Sequence, residues 1–234
     1  MREKIKSVLK SDVFLILLGF VIVPMISFVF ITVGDESPLY ASISRIAWVN
    51  GYWVATFIWA IIVMSSISML TYRMIYAGPL KVREKRIFFA VQSINIVLVF
   101  IGCIIFPAKA SIVNITFVNY VHDYLTAFAW AMYGVGLLVY SIMLRRENKF
   151  LSLFGIGLMS FIIFSSTFFM RNVIDPNSYV GVSAVSEVYI INSLLIYLVV
   201  MYVMQKKTAV DRVNRDGNII EGSISERELH STKK

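Results

Sequence analysis

Six stretches of this chain run for about a bilayer's thickness without a formal charge, and no other feature constrains the fold as tightly. They are Val13–Gly34, Ile46–Tyr72, Ile87–Ala108, Tyr124–Leu144, Phe150–Met170 and Val188–Gln205, of 22, 27, 22, 21, 21 and 18 residues. A helix rises about 1.5 Å per residue, so roughly 20 residues cross the ~30 Å hydrocarbon core. Backbone amides inside lipid must bond within their own segment, which selects helices for such runs. The expected fold is all-α, a polytopic membrane protein with six transmembrane helices in one bundle. Spans are expected at about 13–34, 51–72, 87–107, 123–144, 150–170 and 186–204, within a domain over 13–204. The first run is too long for a secretory leader and reads as an uncleaved helix. Residues 205–234 mix both charge signs with Gly and Ser and read as a disordered cytoplasmic tail.

The formal net charge of +8 could suggest nucleic acid, but its placement argues against that. With both termini cytoplasmic, the inner segments 1–12, 73–86, 145–149 and 205–234 hold 4, 5, 3 and 7 Lys or Arg. Only Arg45, Lys109 and Arg171 of the 22 fall outside. That asymmetry is the positive-inside pattern. The basic surface therefore faces anionic headgroups, and the expected partners are membrane lipids and a protein, not nucleic acid. Localisation is multi-pass integral membrane, in the plasma membrane if the source is prokaryotic.

Within the spans, Pro24 predicts a kink, and Gln92, Ser93 and Asn95 predict bonds to a neighbouring helix. Ser65, Ser66, Ser68 and Thr71 read as packing hydroxyls, with a polar pathway as the alternative. Gly155 and Gly157 predict close helix contact, and the turn RRENK makes the fourth and fifth spans antiparallel neighbours. Cys103 has no intrachain partner for a disulfide. Trp48, Tyr52 and Trp53 fall at aromatic-belt depth. Asn114-Ile115-Thr116 forms a glycosylation sequon on the outer side.

The chemistry-bearing residues gather at the outer ends of the spans. Arg45, His122, Asp123, Arg171 and Glu187, with Ser44, map to the mouths of the second, fourth, fifth and sixth helices. An ionisable group at membrane depth costs roughly 2.5–3.5 kcal/mol on insertion scales, so such groups pair or line a wet cavity. One reading is a salt-bridged cap tying four helices together. A second is an anion or lipid-headgroup pocket in which Arg45 and Arg171 hold a phosphate. A third is catalysis, with candidates His122, Asp123 and Glu187, His122 acting as general base. Adjacent helical residues point about 100° apart, so Asp123 does not directly orient the His122 ring. Ser44, Ser183 and Ser186 offer hydroxyls without a nucleophile motif around them. One histidine in the apolar region is too few for a zinc site, and no metal or cofactor is expected. A small-solute carrier is a further class, although no internal repeat is evident.

Three pieces of this sequence resemble the DRAM-type six-helix membrane proteins, the group of the damage-regulated autophagy modulator, the FGF-receptor-activating-protein relatives and the yeast Sfk-type proteins. They are Ile43-Ser44 closing SPLYASIS, VHDYLTAFAW at 121–130, and SAVSEVYIINSLLIYLVVMY at 183–202. The resemblance places Ser44, His122, Asp123 and Glu187 at the family's recurrent polar positions. It departs at Arg45, where the family commonly has an acid, and at Ile46-Ala47, where it has Thr-Gly. It implies a lipid-linked membrane function. The expected function is thus binding of a lipid or partner through an outer polar pocket, with a lipid-modifying enzyme using His122 and Glu187 as the alternative.

Overall fold

The described apolar runs fold as helices, and the turns at 78–81 and 147–148 are short enough to force their neighbours together. The computed structural model describes residues 11–35, 42–102, 124–173 and 184–231, and of these the backbone alone at 44, 167–173 and 209–231. The first helix, α1, covers Asp12–Gly34. Just before Pro24, where the sequence predicts a kink, Leu18–Ile22 is wound as a π-turn. Pro24 has no N–H to give and its ring crowds the preceding turn, so a wider turn there absorbs the misfit.

A short helix α2, Ile43–Trp48, follows, and then α3, Trp53–Ala77. The fourth helix, α4, is Val82–Phe100, and its start is capped where the Glu84 carboxylate accepts from the Lys81 amide at 3.0 Å. Helix α5, Thr126–Met143, tightens into a 3-10 turn at Leu144–Arg146. Asn148 then accepts from the Leu151 amide at 3.0 Å and opens α6, Lys149–Val173. The last helix, α7, is Ala184–Ser231. Among the described residues there is no strand.

Five segments are long and apolar enough to cross a membrane: α1, α3, Thr126–Arg146, Lys149–Ser166 and Ala184–Thr208. The expected 87–107 span falls on α4, whose first turn carries Arg83, Glu84, Lys85 and Arg86, and residues 103–107 lie outside the described part. The tail expected to be disordered is helical in its backbone as far as Ser231. A helix already formed needs no new nucleus to extend, so weak propensity suffices beyond Thr208.

The helices close a ring. In order, α1 packs on α3, α3 on α4, α4 on α5, α5 on α6, α6 on α7 and α7 on α1, with α7 also against α3 across the middle. Large apolar side chains such as Phe28, Phe150 and Phe164 point outward, which suits a lipid surround and would be costly in water. Inside, Tyr133, Tyr140 and Tyr197 are fully buried and reach across the bundle. The Tyr133 and Thr71 hydroxyls share a bond of 2.6 Å, and the Tyr197 and Ser141 hydroxyls another of 2.6 Å. Tyr140 donates to Gln205 at 2.9 Å. Gln92 does bond across to a neighbour, donating to the Tyr133 carbonyl of α5 at 3.1 Å, and Asn95 donates to Gln92 at 3.3 Å. A buried polar group in hydrocarbon must find such a partner.

Close approach is set by particular glycines. A Cβ on Gly155 would stand 2.7 Å from the Ser141 hydroxyl and 2.8 Å from the Met201 methyl. Gly157, expected to pack as tightly, has nothing within 4 Å of such a Cβ. Two residues along a helix is about 200°, so the pair cannot share a face.

Asp12, at the start of α1, accepts from the Tyr202 hydroxyl and from the Lys206 ammonium, both near the end of the apolar part of α7, Ala184–Thr208. The beginning of α1 and the end of the apolar part of α7 therefore lie at one end of the bundle.

Candidate functional site: the mouth around the short helix

At the opposite end, three elements meet around α2. Its N-terminal turn leaves amides without intrahelical partners. Ser42 accepts from the Arg45 amide at 3.2 Å, as an N-cap serine does. The Ile43 amide instead donates to the Glu187 carboxylate at 2.8 Å, across 144 residues of chain. Glu187 lies in the first turn of α7, so one carboxylate fastens α2 to the last helix.

The apolar face of α2 does the rest of the docking. Ile43, Ile46 and Ala47 are buried, and Ile46 lies so close to Gly34 that no larger residue fits there. Asn50 locks the neighbouring chain ends, donating to the Gly34 carbonyl at 2.7 Å and to the Asp35 carboxylate at 2.8 Å. Gly51 follows with φ +80°, a left-handed conformation that favours glycine. Trp48, Trp53 and Phe57 form a run of ring contacts, with centroids 6.1 and 5.7 Å apart.

Arg45 does not pair with Glu187; of the five residues expected to form a salt-bridged cap, these two alone have described side chains. The Arg45 Nε lies 3.8 Å from the Asp35 carboxylate, a loose contact, and its side chain is 50% exposed. The reason is geometric: Glu187 is already engaged by a backbone amide at N1 of α2, and Arg45 projects from the third position of that helix. Among the described residues the mouth thus holds two engaged carboxylates, Glu187 and Asp35, and one half-exposed guanidinium.

Of the other expected site residues, His122 and Asp123 lie outside the described residues, as do Cys103 and the sequon at Asn114. Ser44 and Arg171 are placed in α2 and α6 by backbone only. Asp35 and Asn50 were not singled out by the sequence. Their signals were an acid closing an uncharged run and an Asn-Gly turn pair. Among the described residues no group of three or more His, Cys, Asp or Glu is placed to hold a metal. No family model, curated protein or solved structure matches the chain. The DRAM-type resemblance stands on its three motifs alone.

Proposed function

We propose that this chain is a six-span membrane protein with both termini in the cytoplasm, which binds a lipid or a partner protein through its outer mouth without catalysing a reaction. The six-span reading is supported by the contact of Asp12 with Tyr202 and Lys206. Ends that meet on one side need an even number of crossings, so α4 crosses along with the other five. The count of basic residues then puts those ends on the cytoplasmic side.

The binding reading rests on the state of Glu187 and Arg45 at the mouth. Glu187 has its carboxylate engaged by the Ile43 amide, which suits an anchor better than a proton-transferring acid. Arg45 keeps a half-exposed guanidinium with only a loose contact to Asp35, which suits capture of an anionic headgroup. His122, Asp123, Arg171 and Ser44 belong to the same mouth in this proposal.

Native mass spectrometry of protein purified in mild detergent tests it. Wild type is expected to retain a discrete lipid species that Arg45→Ala loses by about tenfold, the factor for a charge-assisted hydrogen bond of about 1.5 kcal/mol. His122→Ala is expected to reduce it too. The same species in all three proteins, or none in any, would leave the cluster as a tie between helices and turn attention to protein partners. Turnover of an offered lipid that stops in His122→Gln, at unchanged expression and melting, would favour the enzyme instead.

A further inference from the structure

An open groove lies on the other half of the molecule, between α3 and α4. The two helices leave an outward-facing groove of about 480 Å³, lined by Met64, Ser68, Tyr72, Phe89, Ile96 and Phe100 among others. On α4 the lining residues Phe89, Ile96 and Phe100 fall three, ten and fourteen positions after Arg86. At helical spacing all four share one face. Arg86 thus stands on the stripe that forms the groove wall, one turn beyond its end, and it is exposed.

The groove's length and its charge identify what fills it. From Phe89 to Phe100 is roughly 16 Å of helix, about one leaflet of hydrocarbon. The aromatic rings of Tyr72, Tyr76 and Phe89 cluster at the basic end, with centroids 4.3 to 6.5 Å apart. Beyond them stand Lys81, Arg83 and Arg86, all exposed. The segment's one acid, Glu84, is engaged by the Lys81 amide. Lys85 is turned back, donating to the Tyr76 carbonyl at 3.0 Å.

We infer that this groove is a binding site for an anionic glycerophospholipid, with one acyl chain along α3 and α4 and the phosphate at Arg86. The cations explain selection of an anionic headgroup, and the groove explains retention of the lipid as a discrete partner and not as bulk solvent. The site is separate from the outer mouth and does not depend on what that mouth binds.

The test uses full-length protein reconstituted in phosphatidylcholine vesicles containing one-fifth phosphatidylglycerol, then extracted gently for native mass spectrometry. The readout is the ratio of retained phosphatidylglycerol to phosphatidylcholine. Arg86→Ala is expected to lower the ratio about fivefold. Ser68→Phe, which fills the groove and leaves the cations in place, is expected to lower it as well. Arg145→Ala removes an exposed cation at the same end but off the groove, and is expected to leave the ratio unchanged. Equal ratios in wild type and Arg86→Ala would overturn the proposal. So would an equal loss in Arg145→Ala, which would mean general charge attraction, or full retention in Ser68→Phe.

Discussion

Replacing Gly78 by valine is expected to destabilise the bundle by about 3 kcal/mol, read as a fall in detergent melting temperature of roughly 10 °C. Gly78 caps α3 with φ −70°, so valine meets no backbone strain there. The obstacle is packing. A Cβ on Gly78 would overlap both the Tyr140 hydroxyl and the Gln205 side-chain oxygen, which are bonded to each other. Tyr140 is fully buried and its single hydroxyl proton is shared between Gln205 and the Met74 carbonyl, 3.2 Å away, so it cannot swing aside cheaply. Three helices meet at this point, and the added methyl groups must move one of them or break the bonds. Gly157→Ala serves as the contrast. Nothing lies within 4 Å of its Cβ, so melting is expected to stay level or rise slightly through helix propensity. Equal losses in the two variants would mean that glycine content, not this contact, sets stability.

The second large effect is at Glu187. Truncation to alanine leaves the Ile43 amide without its acceptor in a partly buried setting, at a cost of about 2 kcal/mol. Glutamine keeps an acceptor oxygen at the same reach and is expected to lose well under half of that. Hydrogen exchange supplies the local readout. The Ile43 amide should exchange faster in Glu187→Ala and near the wild-type rate in Glu187→Gln, while amides in the middle of α5 stay unchanged. Loss of protection throughout the bundle would show that Glu187 supports the whole fold and not the docking of α2.

The helices were legible because charge is the strongest signal in a membrane chain. Each uncharged run overlaps a described helix, and the turn RRENK does join two neighbours. What lay beyond the sequence was which face of each helix turns inward. A soluble helix marks its buried face by apolar periodicity. In lipid both faces are apolar: Leu15 is buried while Phe20, one and a half turns on, is exposed. Gly155 and Gly157 read alike for the same reason, as do Ser65 on the surface and Ser66 in the interior.

At the mouth, residue types marked Arg45 and Glu187 but not their partners. Glu187 bonds a backbone amide, and any residue but proline supplies one, so no pattern announces it. The six-residue α2 was hidden for a related reason. It sits at the edge of an apolar run, too short for periodicity, and is held by tertiary contacts through Ile43 and Ile46 rather than by its own propensity. Asp35 and Asn50 act by closing chain ends, a role that polar residues in any outer loop could fill.

Every element of this account depends on the crossings, and thiol labelling with a membrane-impermeant maleimide tests them most directly. On a Cys103→Ala background, single cysteines replace Ser11, Val49, Arg83, Arg145 or Lys207, and sealed vesicles with the cytoplasmic face outward are labelled. Six crossings predict reaction at 11, 83, 145 and 207 and none at 49 until the vesicles are permeabilised. Reaction of 11 and 207 from opposite faces would mean an odd number of crossings and would contradict the bundle, its outer mouth and its inner groove together.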